Sequence, residues 1–147
     1  MPTIYKMLHD DHEKVTSALS KILDSSDGAE RTREKLFEEI KADLEVHTRF
    51  EEEEFYPQFR KEKADSEARE EVRDALSEHE EAKTMLDELS AMDKTSDEFI
   101  EKIRELKEAL EHHISDEEDE MFPQAQEVID EKKAEEMGAH YQSLKAD

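Results

Sequence analysis

Apolar residues return at every third and fourth position along nearly the whole chain, and nowhere do they alternate as a half-buried strand requires. The spacing predicts a first helix from about Pro2 to about Leu23, with Leu8, Val15, Leu19 and Ile22 on one stripe, stopped by "DSSDG" at 24–28. A second covers about 29–62 and aligns Leu36, Phe37, Ile40, Leu44, Phe55 and Phe59. A third, about 66–90, aligns Val72, Leu76, Ala82, Leu86 and Leu89. After "SAMDKTSDE", with Ser96 or Thr95 as the cap, a fourth carries Phe99, Ile103, Leu106, Leu110, Met121 and Val128. A short fifth, about 134–145, offers Met137, Tyr141 and Leu144. Short connections between long amphipathic helices predict an all-α fold, an up-down-up-down four-helix bundle over about 2–130 with a short C-terminal fifth helix. A length of 147 residues predicts one domain, 1–147.

Composition sharpens this picture. Charged residues make up 44% of the chain and glycine and proline are scarce, a balance that suits long helices. The formal net charge of −23 argues against nucleic-acid binding and against an anionic membrane surface. No stretch approaches the roughly 20 apolar residues of a membrane span. The first residues, "MPTIYKMLHDDHEK", carry no signal-peptide pattern, so a cytoplasmic location is expected. Without cysteine, disulfides, thiolate ligands and cysteine nucleophiles are excluded.

The chain repeats itself. "EVHTRFEEEEFYPQF" (45–59) returns as "EHHISDEEDEMFPQA" (111–125), matching His47 with His113, Glu51 and Glu52 with Glu117 and Glu118, and Pro57 with Pro123. "DHEKVTSAL" (11–19) likewise matches "EHEEAKTML" (78–86) and pairs His12 with His79. Two copies of one helical hairpin result, each with a lone histidine on its first helix and a His-x-x-x-Glu on its second. On a helical wheel of roughly 100° per residue, His12, His47, Glu51, His79, His113 and Glu117 all fall on apolar stripes.

A single histidine on such a stripe is ordinarily a satisfied core residue, and most of the "EEEE" run at 51–54 must be a solvated face. Four inward imidazoles and two inward carboxylates related by a repeat ask for more. An unpaired buried carboxylate costs several kcal/mol, and two would also repel each other. A multivalent cation removes both problems, and residues four apart aim an imidazole and a carboxylate at neighbouring points. Nitrogen and oxygen donors without sulfur suit iron, manganese or zinc. Four histidines and two carboxylates exceed one zinc site and suit two metals, one served mainly by each hairpin, with Glu51 and Glu117 bridging. Bridging carboxylates bring the protein's share to about eight bonds, against about twelve for two octahedral ions. A bridging oxo or hydroxo group adds two, leaving room for water, dioxygen, peroxide or nitric oxide. Two non-haem iron ions are the expected cofactor, because an open two-metal site is most useful with a redox metal.

The ordered segments "DDH", "HTRFEEEEFYP", "EHE" and "HISDEEDEMFP" resemble the hemerythrin-like (HHE cation-binding) domain over about residues 3–130. The resemblance implies a four-helix bundle around a non-haem di-iron site. It carries over His12, His47, Glu51, His79, His113 and Glu117 as ligands. Two departures stand out. Oxygen carriers of the family place a second histidine one turn from the first on the third helix, where this chain has Ala75 and Lys83. Carriers also use an aspartate five residues after the last histidine, whereas this chain has Glu117 at four and Glu118 at five. The pattern is closer to members linked to iron handling, peroxide or nitric oxide chemistry, and repair of iron centres. A ferritin-like site needs Glu-x-x-His, which occurs nowhere in the chain.

Around the six, His9 is expected at the surface or the rim, and His112 and His140 in solvent. Glu54, Glu120 and Tyr5 return to the inward stripe and are candidates for contact with the site, although core packing is the ordinary role for Tyr5. Pro57 and Pro123 should bend or end their helices beyond the site. Three functions fit these residues: a redox enzyme acting on peroxide, oxygen or nitric oxide; a module that carries, senses or stores oxygen or iron without turnover; and a metal-free helical interaction protein.

Overall fold

The computed structural model describes residues 2–146. Helix α1 is Ile4–Asp24. Helix α2 runs over 30–63 as Glu30–Phe50, a π-helical turn Glu51–Phe55, and Tyr56–Lys63. Helix α3 is Ser66–Ser90. Helix α4 runs over 97–128 as Asp97–Asp116, a second π turn Glu117–Met121, and Phe122–Val128. Helix α5 is Glu131–Ala146, longer at both ends than the expected 134–145. No strand occurs among the described residues.

Local chemistry sets these boundaries. The side chains of Thr3, Asp65 and Ser96 accept from the amides of Lys6, Ala68 and Phe99, satisfying donors that a helix N-terminus leaves free. Ser96 is therefore the cap of α4, while Thr95 bonds to Asp93. The four rods close into a ring in which α1 packs on α2 and α4, and α3 packs on α4 and α2.

The apolar core comes in two blocks. One holds Val15, Leu19, Ile22, Phe37, Ile40, Leu86, Phe99 and Leu106. The other holds Ile4, Leu8, Phe50, Phe55, Phe59, Val72, Phe122 and residues of α5. Leu76 departs from the expected stripe and is 38% exposed, as is Leu144. The buried line of α3 is Ala68, Val72, Ala75, His79, Ala82, Leu86 and Leu89, a strict alternation of fours and threes that leaves Leu76 a full step off the seam.

Two features hold the ends of the bundle. Arg33 is 1% exposed, and its guanidinium donates to Ser25 Oγ at 2.8 Å, the Ser25 carbonyl at 3.2 Å and the Lys94 carbonyl at 2.8 Å. It ties the α1–α2 turn to the α3–α4 turn. At the other end α5 lies against the start of α1 through Gly138, where a Cβ would fall 2.5 Å from the Pro2 carbonyl oxygen. A helical glycine ordinarily weakens a helix, and here it permits the close approach.

Replacing Arg33 with alanine strands the Ser25 and Lys94 carbonyls and should lower stability by about 2–4 kcal/mol in urea unfolding. A loss below about 0.5 kcal/mol would show that the clamp carries no weight.

Candidate metal centre

Between the two apolar blocks lies a layer of buried polar side chains. His12, His47, Glu51, His79, His113 and Glu117 are all buried, with Glu51 at 0% and Glu117 at 2% exposure. The structure brings all six together. Their donor atoms form two sets, His12–His47–Glu51–Glu117 and Glu51–His79–His113–Glu117, each with all atoms within 4.8 Å of one another. The sets share both carboxylates, and each carboxylate touches a histidine of each hairpin. Glu51 Oε1 lies 3.3 Å from His47 Nε2 and 3.1 Å from His79 Nε2. Glu117 lies 3.3 Å from His12 Nε2 and 3.4 Å from His113 Nε2. The imidazoles pair by hairpin, His12 with His47 at 4.9 Å between centroids and His79 with His113 at 4.8 Å.

The donor set fits metal ions on two grounds. Donors that share one first-row ion at bond lengths of about 2.0–2.2 Å sit roughly 3 Å apart, the spacing seen between these Nε2 and carboxylate atoms. In addition, His12 Nε2, His113 Nε2, both oxygens of Glu51 and Glu117 Oε1 are buried without a hydrogen-bond partner. Native interiors avoid such orphaned groups unless something absent from the protein chain satisfies them.

The outer nitrogens are all engaged, and they follow a cyclic order. His47 of α2 faces Asp11 of α1 (Nδ1 to Oδ2, 3.1 Å), and His79 of α3 faces Glu52 of α2 (2.8 Å). His113 of α4 faces Glu78 of α3 (2.7 Å), and His12 of α1 faces Glu118 of α4 (2.5 Å). Each helix thus supplies an outer carboxylate to the histidine of the next, and each of these acids is adjacent in sequence to one of the six inner residues. A carboxylate on Nδ1 fixes the proton there and turns Nε2 inward, as metal-binding histidines require. Asp11 is the most buried of the four acids and has further support from α5. The Tyr141 hydroxyl and the Lys145 ammonium both donate to it.

The two π turns begin at Glu51 and Glu117. Such turns insert one extra residue into the helix and often mark functional sites. Pro57 and Pro123, expected to bend or end their helices, follow each turn at the start of the renewed helix, where a missing N–H is tolerated, and neither ends its helix. The extra residue rotates the remainder of each helix by roughly 100°, burying Phe55 with Tyr56 and Met121 with Phe122. Tyr56, unnoticed in the sequence, therefore reaches the centre: its hydroxyl donates to Glu117 Oε2 at 2.6 Å and lies 3.2 Å from His79 Nε2. Glu54 turns outward to pair with His140 at 2.9 Å, and Glu120 is exposed. Tyr5 stays in the aromatic core against Phe55 and Phe122, and burial pushes its phenol up to about 12. His9 joins the rim through Glu118, at 2.8 Å.

Metal-free, the layer balances its charge with protons. Burial would push His47 down, but Glu51 and Asp11 outweigh it and hold the imidazolium up to about 10. Burial likewise opposes protonation of His113, and Glu117 and Glu78 hold it well above its ordinary value. For Glu117 burial works upward, and its contacts with Glu51 and with the His113 and His12 imidazoles outweigh burial and bring it well below the carboxylate range. Burial first, then Glu117 and Glu51, raise Tyr56 well above an ordinary phenol.

A cavity of about 480 Å³ reaches this layer from the surface. All four histidines line it, with Val15, Leu44, Leu86 and Leu110 as apolar wall and Lys41, Arg49 and Lys83 among its polar residues.

The family model of the hemerythrin HHE cation binding domain matches residues 3–125. A hemerythrin HHE cation binding domain-containing protein from Mycobacterium kansasii shares the fold with a TM-score of 0.81 and 24% identity, over 99% of this chain and 89% of that one. No curated protein matches the chain.

His47 binds its proton more tightly folded than unfolded, so that contribution is complete below about 6.5 and is lost as pH rises through about 10. Chelated protein should accordingly unfold at lower urea concentration at pH of about 9.5 than at about 6.5, and His47→Gln should flatten the slope. A metal that takes the Nε2 positions must displace such protons, so loading should release protons and tighten as pH rises, read by calorimetry in buffers of different ionisation enthalpy.

Proposed function

This chain belongs to the hemerythrin HHE cation-binding domain family, and from that premise we propose that the buried layer holds two iron ions and reacts with peroxide, dioxygen or nitric oxide. The observation that carries the reading is the pair of overlapping donor sets sharing Glu51 and Glu117. His12 and His47 would hold one ion and His79 and His113 the other, with Glu51 and Glu117 available to both. Iron bound there would supply a ferrous–ferric redox couple.

The protein's own groups do the rest. Asp11, Glu52, Glu78 and Glu118 keep protons on the outer nitrogens, so that the inner ones are free for metal. Tyr56 is the one phenol in contact with both an inner carboxylate and an inner histidine among the described residues, and its raised pKa keeps it a proton donor. The large cavity gives a small neutral oxidant a path to the four imidazoles past apolar walls that limit water. The absence of a second histidine on α3 favours reaction over reversible carriage. Ala75 is buried in the core and Lys83 is exposed at the cavity, so neither supplies the fifth imidazole that carriers of the family use.

Protein purified without added metal should contain two irons per chain by elemental analysis. Chelation should lower the melting temperature by on the order of 10 °C, since metal binds only the folded chain. Glu51→Ala with Glu117→Ala should abolish the two-metal stoichiometry, and retained stoichiometry would refute the bridging assignment. Reduced protein mixed anaerobically with peroxide or oxygen should oxidise promptly and consume the reagent. A stable, fully reversible spectral change would instead identify a carrier. Tyr56→Phe should slow the oxidation at least about tenfold while leaving metal content intact.

A further inference from the structure

A second, smaller cleft enters the bundle between α3 and α4. Its volume is about 60 Å³, enough for a few waters or one partly hydrated cation. Glu71, Asp74, Glu78, Asp116 and Glu120 line it, and no lysine or arginine does. Its lining also includes buried His113 and Glu117, both of which carry an unpartnered polar atom. Beside the cleft stands a third group of donors, Glu78, His112 and Asp116, mutually within 4.8 Å. His112 Nε2 lies 3.2 Å from Asp116 Oδ2 and 3.5 Å from Glu78 Oε2.

We propose that Glu78, His112 and Asp116 form a surface docking site for a divalent first-row cation, and that the α3–α4 cleft conducts the ion from there to the buried layer. An imidazole with two carboxylates selects such metals over magnesium or calcium. Glu78 joins the two levels, because one oxygen faces His112 while the other accepts from His113 Nδ1 at 2.7 Å. The linings separate the two openings. The wide cavity mixes seven acids with Lys41, Arg49 and Lys83 around apolar walls, which suits a small neutral molecule. The narrow cleft is lined by acids with no lysine or arginine to offset them and draws cations. The docking site stands independently of the proposed inner pair; the conducting role rests on it.

His112 and Asp116 are exposed and outside the inner layer, so His112→Ala with Asp116→Ala should fold normally. Titration with Co²⁺ should count one fewer ion per chain in this variant than in the wild type, and Zn²⁺ should shift the His112 ring resonances of wild-type protein. Stopped-flow loading of metal-free protein with Co²⁺ should be slower in the variant by at least about fivefold, with the final inner stoichiometry unchanged. A charge control, Glu101→Ala, should load at the wild-type rate. Equal ion counts and unmoved His112 resonances would overturn the docking site. A lost ion with unchanged loading, or equal slowing in the control, would overturn the conducting role. Failure of the inner pair would show separately, as fewer than two inner ions in wild-type protein, while the difference between the two proteins still reads the outer site.

Discussion

Two carboxylates, Glu51 and Glu117, sit at the centre of the bundle with their oxygens turned towards four imidazoles and away from water. Desolvating one such charge costs several kcal/mol, and placing two side by side adds repulsion. Everything around them serves to offset that penalty. Without metal, protons held on His47 and His113 do it, and the upward shifts of both imidazoles follow from that compensation. Metal cations can take over the same task with stronger, directional bonds, and the unpartnered nitrogens and oxygens mark where they would bind. The layer also explains why the apolar core is divided in two, since each rod gives up part of its stripe to polar groups.

The cyclic order of outer acids turns four separate histidines into one assembly. Because each imidazole is held by the helix before it, a shift of any rod disturbs the orientation of the next imidazole. Helix α5 enters this cycle through Tyr141 and Lys145 on Asp11, although it lies beyond the matched residues 3–125. The result is uneven support: the acid behind His47 is buried, while Glu52 behind His79 is half exposed. The two halves of the layer are related by the repeat without being equivalent, and the phenol of Tyr56, whose repeat partner is Phe122, adds to the difference.

Much of the site was legible because it is written in local periodicity. His47 and Glu51 share a face by virtue of their four-residue spacing, and the repeat placed His113 and Glu117 likewise. Signals for the outer acids were present too, since Asp11 and Glu78, and Glu52 and Glu118, match under the same alignment. Their partners lie on neighbouring helices, however, and a wheel says nothing of which rod comes next. Tyr56 was missed and Glu54 and Glu120 were misplaced for one reason. A uniform wheel puts Tyr56 roughly 180° from His47, and the π turn removes one step of that rotation. Leu76 was misassigned because a larger side chain outweighed Ala75, which lies on the true seam. Arg33 escaped notice because a charged residue on an apolar line becomes an anchor only when two distant turns present carbonyls to it.

The sequence by itself determined five helices, their apolar faces, the two-fold repeat and the six inward donors, since each depends on spacing within one segment. The tertiary structure decided which acid holds which histidine, that a phenol of α2 meets a carboxylate of α4, that α5 braces Asp11, and that two openings of unlike size and lining lead inward. Those outcomes depend on the rotation and order of packed rods, and hydrophobic periodicity constrains the facing of a helix without naming its neighbour.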